Sequence, residues 1–268
     1  MRFTFAYNRE GNVIPPVTPS VSDLVELGIL TKQISEFSND DIGTEVSIPY
    51  SNEGSGISGP IVFEVVGVNH HTTAEHPQTI TLMTKNIIRT AVFDAKEPDN
   101  TNSYRKNGGN NRWSVSNIRQ WLNSSGAAGS WFTTQHEYDA APTYASEPGF
   151  LAGFSANVLQ HFTDITNTTN LNNVDGGGTE TTVDKVFLPS FTEMGLATGE
   201  GSHLSIRYPD ANSRIKSGAD GVYWTRSPYV VMSPQNVGFI NAEGNSPNHT
   251  YFISASADNG ITPIIVIH

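Results

Sequence analysis

The chain contains no cysteine among its 268 residues. Without thiols it has no disulfide bonds, no zinc site built on thiolates and no cysteine nucleophile. This composition is typical of a protein made in a reducing cytosol.

Charged residues are scarce at 15%, and the 15 Lys and Arg residues are outnumbered by 26 Asp and Glu residues, giving a formal net charge of -11. No basic stripe is present, so we expect no nucleic-acid binding. No segment approaches ~20 consecutive apolar residues, so we expect no membrane span. The N-terminal sequence lacks the apolar stretch of a signal peptide, and none is expected.

Glycine (24) and proline (15) are abundant, which favours a fold with many turns over a helical bundle. From Val222 to His268, short apolar blocks alternate with polar blocks rich in Ser, Asn, Pro and Gly. That alternation is typical of strands joined by loops. We therefore expect a rigid frame of strands whose connecting loops form a binding face.

Two regions are expected: an N-terminal arm with short helices over residues 1–41, and a single ligand-binding domain over residues 42–268. Met1–Pro19 alternates briefly and then runs into prolines, which predicts a short strand and an extended linker. Ser20–Phe37 has helical spacing of its leucines. We expect the arm to serve attachment or oligomerisation, with a frayed terminus as the alternative.

Within the domain, β-branched and aromatic runs predict strands over Thr44–Tyr50, Ile61–Val68, Thr79–Thr84, Val183–Leu188 and His203–Arg207. Apolar residues at helical spacing predict amphipathic helices at Ser114–Asn123 and Phe154–Phe162. Ser190 and Glu193 have the spacing of a capping box and predict a short helix. The Thr- and Asn-rich segment Thr163–Thr182 is expected to be a mobile, solvent-facing loop.

Metal ligation is not predicted, although His70, His71 and His76 share one loop. Imidazole is a common metal ligand, but no cysteine or suitably spaced carboxylate completes the set. Asp175 precedes three glycines in a way that hints at a calcium loop, yet its spacing does not match a known ligand ladder. We expect no metal and no cofactor.

A catalytic site is the weaker hypothesis and rests on His136, Glu137 and Asp139. A glycosidase needs two carboxyl groups about 5–10 Å apart in a cleft, and proximity along the chain does not establish that. Neither a Gly-x-Ser-x-Gly elbow nor a phosphate-binding glycine loop with lysine is present.

Four motifs, in order, resemble those of a bacterial and phage domain family of unassigned function. They are Ser116–Asn123 (SNIRQWLN), Val186–Ser190 (VFLPS), Tyr223–Pro228 (YWTRSP) and Asn259–Ile265 (NGITPII). The resemblance covers roughly Ile42–His268. Thr262 stands where the family motif has arginine, so a role for that arginine is not carried over.

That family looks related to the C-type-lectin-like fold of formylglycine-generating enzymes and of the variable proteins of diversity-generating retroelements. The resemblance implies an α+β domain: a small twisted antiparallel sheet flanked by two main helices, loop-rich, with its ligand face built by the C-terminal region. The cysteine chemistry of formylglycine-generating enzymes is excluded. Glu97-Pro98-Asp99 is not followed by Trp-Asn-Asp, so calcium-mediated sugar binding is not predicted.

The C-terminal loops carry side chains that combine hydrogen bonding with flat aromatic contact, a mixture also found in antibody paratopes. The predicted ligand-binding residues are Tyr229, Ser233, Gln235, Asn236, Asn245, Asn248, His249 and Tyr251. Several are types that adenine-directed mutagenesis of an asparagine codon produces, which suggests a diversified variable region; ordinary turn residues are the alternative.

Four residues are assigned to the framework: Arg119, Trp121, Trp224 and Arg226. Alternation puts Trp224 and Arg226 on one strand face, and a half-buried arginine needs a partner. A framework salt bridge is therefore favoured for Arg226 over ligand contact. For Arg119 the sequence leaves open whether it pairs with an acid or is solvated.

The function expected is host recognition by a phage tail, or by a related structure. The protein would be located in the virion tail after assembly in the host cytoplasm. By analogy with such assemblies, in which homotrimers are common, we expect a homo-oligomer, a trimer. Its partners would be a bacterial surface glycan or protein and other tail proteins bound through the arm. The alternatives are an enzyme module acting on cell-wall polysaccharide and a structural tail or decoration protein without a ligand.

Overall fold

The structure, a computed structural model, describes residues 6–7, 13–14, 23–52, 54–245 and 252–268. Fourteen strands lie in these ranges: β1 (Ala6–Tyr7), β2 (Val13–Ile14), β3 (Glu45–Ile48), β4 (Ile61–Val68), β5 (Ile80–Thr84), β6 (Arg89–Val92), β7 (Ile165–Asn170), β8 (Thr179–Asp184), β9 (Val186–Phe187), β10 (Tyr223–Pro228), β11 (Asn236–Ile240), β12 (Phe252–Ser254), β13 (Asp258–Ile261) and β14 (Ile264–Ile267). Three short α-helices accompany them: α1 (Ser103–Gly108), α2 (Asn117–Leu122) and α3 (Ala156–Leu159).

Two five-stranded sheets form the frame. Sheet A has the order β3-β4-β5-β14-β9, and sheet B has the order β12-β11-β10-β13-β6. All neighbouring strands are antiparallel except β10 and β13, which are parallel. Two further antiparallel pairs, β1-β2 and β7-β8, lie outside these sheets.

Two chain segments, one containing β5 and β6 and the other containing β13 and β14, each contribute a strand to both sheets. β5 pairs with β14 in sheet A, and β6 pairs with β13 in sheet B. Between the sheets the pairing continues, because the Thr84 amide donates to the Pro263 carbonyl at 3.0 Å and the Ile88 amide donates to the Ile261 carbonyl at 3.0 Å. This shared ladder makes the C-terminal segment part of the core of both sheets.

The central strands of sheet A are buried on both faces. Every residue of β5 and β14 is buried, as expected for continuous β-branched and aliphatic runs that have packing partners on each side. The largest fully buried side chains include Trp113, Trp121 and Trp224. At about 25 cal/mol per Å² of apolar surface, residues of this kind dominate the stabilisation of the fold.

The α+β, loop-rich architecture agrees with the sequence prediction. The lengths of the helices do not agree with it. The helices have six, six and four residues, so two main helices flanking a single small sheet is not what the structure contains. In the predicted helix at Ser114–Asn123, a 3-10 turn comes first, and Ser116 caps α2 by accepting from the Arg119 amide.

Other predicted helical segments are also shorter than expected. Asp23–Leu30 makes a single helical turn that ends at Gly28, whose φ of +68° is accessible to glycine. The capping-box bonds between Ser190 and Glu193 are present, at 2.8 and 3.1 Å, but the residues that follow form turns. In Phe154–Phe162 the predicted apolar face is confirmed, since the rings of Phe154 and Phe162 are both buried and pack 5.2 Å apart.

The segment predicted as a mobile loop, Thr163–Thr182, is mostly a β-hairpin. β7 and β8 pair in register over six residues each, from Ile165 opposite Asp184 to Asn170 opposite Thr179. β-branched threonines favour strands, and alternate residues of β7 are buried. Conversely, His203–Arg207 is a turn and not the strand that the sequence predicted.

Candidate ligand-binding face

The connection between β10 and β11 forms a tight loop at one end of sheet B. The Tyr229 amide donates to the Asn236 carbonyl at 2.9 Å, and the Asn236 amide donates to the Ser233 carbonyl at 2.8 Å. We call residues 229–236 together with β12 the C-terminal face. Its loop exposes two large apolar side chains, Val231 at 55% and Met232 at 68%.

The side chains of two buried asparagines donate hydrogen bonds to the backbone of this loop. The Asn111 side-chain amide, fully buried, donates to the carbonyls of Tyr229 at 3.1 Å and Asn236 at 2.9 Å. Asn172, from the turn between β7 and β8, donates to the same Tyr229 carbonyl. The loop is therefore fixed at its base, whereas its tip is exposed.

An aromatic stack joins the loop to the sheet. The rings of Tyr229 and Phe252 lie 4.6 Å apart, and those of Phe252 and Phe191 lie 5.8 Å apart. Phe191 in turn covers Gly238 of β11, where an added Cβ would lie 2.3 Å from its Cζ. Glycine at this position allows the ring to pack directly on the strand.

The structure brings four of the eight predicted ligand-binding residues together on this face: Tyr229, Ser233, Gln235 and Asn236. Asn245 is not with them. It closes a turn with Asn241 after β11 has ended, at the end of the strand opposite Asn236. Asn248, His249 and Tyr251 lie outside the described residues.

Helix α1 borders the same face and was not part of the predicted site. Gly108 ends this helix against the sheet, and a Cβ there would lie 2.5 Å from Gln235 Cγ and 2.6 Å from Ser254 Oγ. A groove of about 320 Å³ lies between the two, lined by Ser103, Tyr104, Asn107, Gly108, Gln235 and Ser254. We call it the α1 groove. No local sequence pattern indicates this groove, because it depends on the close approach of Gly108 to Gln235 and Ser254.

The four framework residues are all anchored in the interior. The indole nitrogens of Trp121 and Trp224 donate to the carbonyls of Pro148 at 3.0 Å and Ala91 at 2.9 Å. Arg119 pairs with the buried carboxylate of Asp184 at 2.6 Å. Of the two alternatives that the sequence left open, pairing with an acid is therefore the one observed.

Arg226 is buried and makes a two-pronged ion pair with Glu193, with N–O distances of 2.7 and 2.9 Å. Burial alone would raise the pKa of Glu193, but the Arg226 guanidinium and His71 outweigh it and lower that pKa to about 2. The pair joins β10 to the turn after β9. The two terminal nitrogens of Arg226 are thus paired within the protein, whereas its Nε is buried without a hydrogen-bond partner among the described residues.

The histidine loop is tied into the protein rather than arranged around an ion. His71 contacts Thr81 Oγ1 at 3.0 Å and Glu193 at 3.4 Å, and the His76 ring stacks on that of His268 at 3.5 Å. Asp175, the hint of a calcium loop, pairs with Arg105 at 2.5 Å. Within residues 23–52, 54–245 and 252–268, no three His, Asp or Glu side chains are arranged to hold a metal ion.

The candidate catalytic segment lies beside other acids. His136 Nε2 is 3.3 Å from the buried Glu97 carboxylate, and Asp139 accepts from Asn117 Nδ2 at 3.1 Å and the Gln135 amide at 2.8 Å. Burial, followed by the nearby Asp139 and Glu97 carboxylates, raises the pKa of Asp94. Glu137 is exposed.

None of the helices in the described part of the chain is long and apolar enough to cross a membrane. No curated protein and no solved structure matches the chain. The sequence profile of one family, described as a domain of unknown function (DUF6273), matches residues 78–268. The match begins later than the Ile42 expected, but it includes all four motifs and more than half of the chain. The chain belongs to the DUF6273 family.

Proposed function

We propose that the protein recognises a bacterial surface through its C-terminal face. The observation that carries this proposal is the combination of a fixed base with an exposed, uncharged tip. Asn111 and Asn172 hold the backbone of the 229–236 loop, while Val231 and Met232 project exposed apolar surface. Exposed apolar side chains beside adaptable polar ones are typical of interaction sites.

The wider setting is part of the same proposal. The fold is C-type-lectin-like, and the protein is a tail component of a phage or a related assembly that acts as a homotrimer attached through residues 1–41. What supports it is the resemblance of the four motifs, together with a two-sheet core in which β13 and β14 each lie between two other strands of their sheet. A frame of this kind tolerates change in its loops.

Diversification of the face by a retroelement belongs to the proposal as well. It is tested by sequencing sibling genes. Differences confined to the eight predicted ligand-binding positions support it, whereas differences scattered evenly along the chain refute it.

Binding to intact cells tests recognition itself. The fluorescently labelled protein is incubated with a panel of bacterial species, and Tyr229→Ala and Met232→Ser are compared with the unaltered chain. We expect binding to at least one species and a clear loss in both variants. Val183→Ser is the matched control, because Val183 is equally apolar and 60% exposed but lies on β8.

Thermal unfolding of the same variants checks that each of them is folded. We expect little change in stability, since all three side chains are partly or largely exposed. If no species binds the unaltered protein, the protein is better described as a structural component. If the face variants and Val183→Ser bind alike, another surface is responsible.

A further inference from the structure

The α1 groove has the size of a small-molecule site. Its volume of about 320 Å³ is at the lower end of the roughly 300–1,000 Å³ that ligand pockets occupy. It adjoins the C-terminal face through Gln235 and Ser254 and is bordered on the other side by α1. Tyr104, on α1, lines the groove and is 53% exposed.

Hydrogen-bonding groups in the α1 groove are largely unused. Ser103, Tyr104 and Asn107 are exposed, so their hydroxyl and amide groups are accessible to a ligand. Asn107 Nδ2 donates to the Ser103 carbonyl at 2.8 Å, and the Oδ1 of the same amide can accept a hydrogen bond from a ligand hydroxyl. Gln235 Oε1 is a buried atom without a partner in the part of the chain that the structure describes.

Charge is missing from the lining of the groove. All six lining residues are uncharged. The neighbouring Arg105 is neutralised by Asp175 at 2.5 Å, with both side chains about nine-tenths buried. A phosphate, carboxylate or ammonium ligand would therefore find no ion-pair partner among the lining side chains, whereas hydroxyls would find both donors and acceptors.

We propose that the α1 groove binds a neutral sugar unit of a surface glycan, with the Tyr104 ring as an apolar platform and Asn107, Gln235 and Ser103 as hydrogen-bond partners for its hydroxyls. A sugar ring presents hydroxyls around its edge and C–H groups on its faces, which matches a lining of amides, hydroxyls and one exposed aromatic ring. The inference rests on the proposed function and assigns the ligand class of that same face.

An array of neutral and acidic oligosaccharides tests this assignment directly. We expect the unaltered protein to bind neutral members. Tyr104→Ala and Asn107→Ala should each weaken that binding by about tenfold or more, as expected when about 1.4 kcal/mol of interaction is lost. Tyr104→Phe should retain most of it, because the ring remains.

Val183→Ser is the control on the array, since Val183 is exposed on β8 and does not line the groove. Binding restricted to acidic oligosaccharides, or no binding to any member, would overturn the inference. Equal losses in Val183→Ser and Tyr104→Ala would also overturn it, because the effect of Tyr104→Ala would then not be specific to the groove.

Treated cells separate this inference from the proposed function. Periodate oxidises vicinal diols of surface sugars, whereas a protease removes surface proteins. Cell binding that is lost after periodate and survives protease supports a saccharide ligand. Binding that survives periodate and is lost after protease leaves surface recognition intact but refutes the sugar assignment. Absence of binding to any untreated cell refutes the proposed function itself.

Discussion

Arg226 of β10 and Glu193 of the turn after β9 form an ion pair in which each side chain is only 1% exposed. The same guanidinium donates to the Leu188 carbonyl at 2.7 Å, and Glu193 also contacts His71, from the loop between β4 and β5. The pair thus ties a strand of sheet B to loop segments that adjoin β4, β5 and β9 of sheet A.

Removal of the charge on one partner is expected to be costly. Glu193→Gln keeps the shape of the side chain but leaves a buried, uncompensated guanidinium, which costs about 3–5 kcal/mol. Urea denaturation at pH 7 measures this loss as a lower midpoint. The double variant Arg226→Met with Glu193→Leu should recover part of it, because it removes both charges together.

Lys85→Met is the control for this experiment. Lys85 pairs with Glu45 on exposed surface, and exposed ion pairs contribute little to stability. A Glu193→Gln midpoint no lower than that of Lys85→Met would contradict the assignment of a central structural role to the buried pair.

The strands of the core could be predicted from the sequence because their signal is local. Ile61–Val68 is a mostly apolar run and is a strand with the predicted bounds. Ile264–Ile267, an apolar block of the C-terminal stretch, forms β14. The β7-β8 hairpin was missed because its threonines and asparagines look like a polar loop until the burial of one face is known. The helices were overestimated because apolar spacing does not show where a 3-10 turn replaces an α-helical one.

The binding face was predictable only in part. Tyr229, Ser233, Gln235 and Asn236 come together because one short loop contains them all. Asn245 is separated from them by the length of β11, which sequence spacing does not convey. The contribution of α1 depends on a contact between residues 108 and 235, far apart in sequence, and no pattern within either segment indicates it.

Stability should fall in mild acid because of His268. Burial, followed by His76, His161 and Lys185, lowers the pKa of His268 to about 4, compared with about 6.5 in an unfolded chain. Between those values the unfolded state binds the proton more readily, so the stability that is complete above pH 6.5 declines as the pH falls towards 4. The imidazole is partly exposed, and solvent screening limits the effect to roughly 1 kcal/mol.

Urea denaturation of the unaltered chain and of His268→Gln, at intervals from pH 7.5 to 4.5, measures this effect. The variant should show a flatter profile over that window. His76→Gln should flatten it to a smaller degree, since the His76 ring is stacked on that of His268. Parallel profiles for all three proteins would show that His268 does not carry the dependence.

Gly238 should not tolerate a side chain. An added Cβ would lie 2.3 Å from Phe191 Cζ and 2.9 Å from Thr225 Oγ1, so Gly238→Ala is expected to cost about 1–3 kcal/mol through overpacking. Combining it with Phe191→Leu relieves the ring contact and should cost less than the sum of the two single changes. Thermal or urea unfolding gives the comparison, and strict additivity would show that the two residues are not in contact.

Asn111 should control the rigidity of the C-terminal face. Its side-chain amide bonds to the carbonyls of Tyr229 and Asn236, at the two ends of the loop, so Asn111→Ala leaves both without this buried donor and costs about 1–3 kcal/mol. The amide of Tyr229, bonded to the Asn236 carbonyl at 2.9 Å, should exchange its hydrogen faster in the variant.

Hydrogen exchange read by NMR distinguishes local from global loosening. In Asn111→Ala, the amides of β14 should lose less protection from exchange than the amide of Tyr229 does. The reason is that β14 lies in the other sheet and exchanges only through larger openings. Asn157→Ala, at an exposed site on α3, is the matched control and should change neither set. Should exchange at Tyr229 be unchanged in Asn111→Ala, the loop is held by Asn172 and its own turn. In that case Asn111 is not what preorganises the C-terminal face. Preorganisation matters because it lowers the entropic cost of binding.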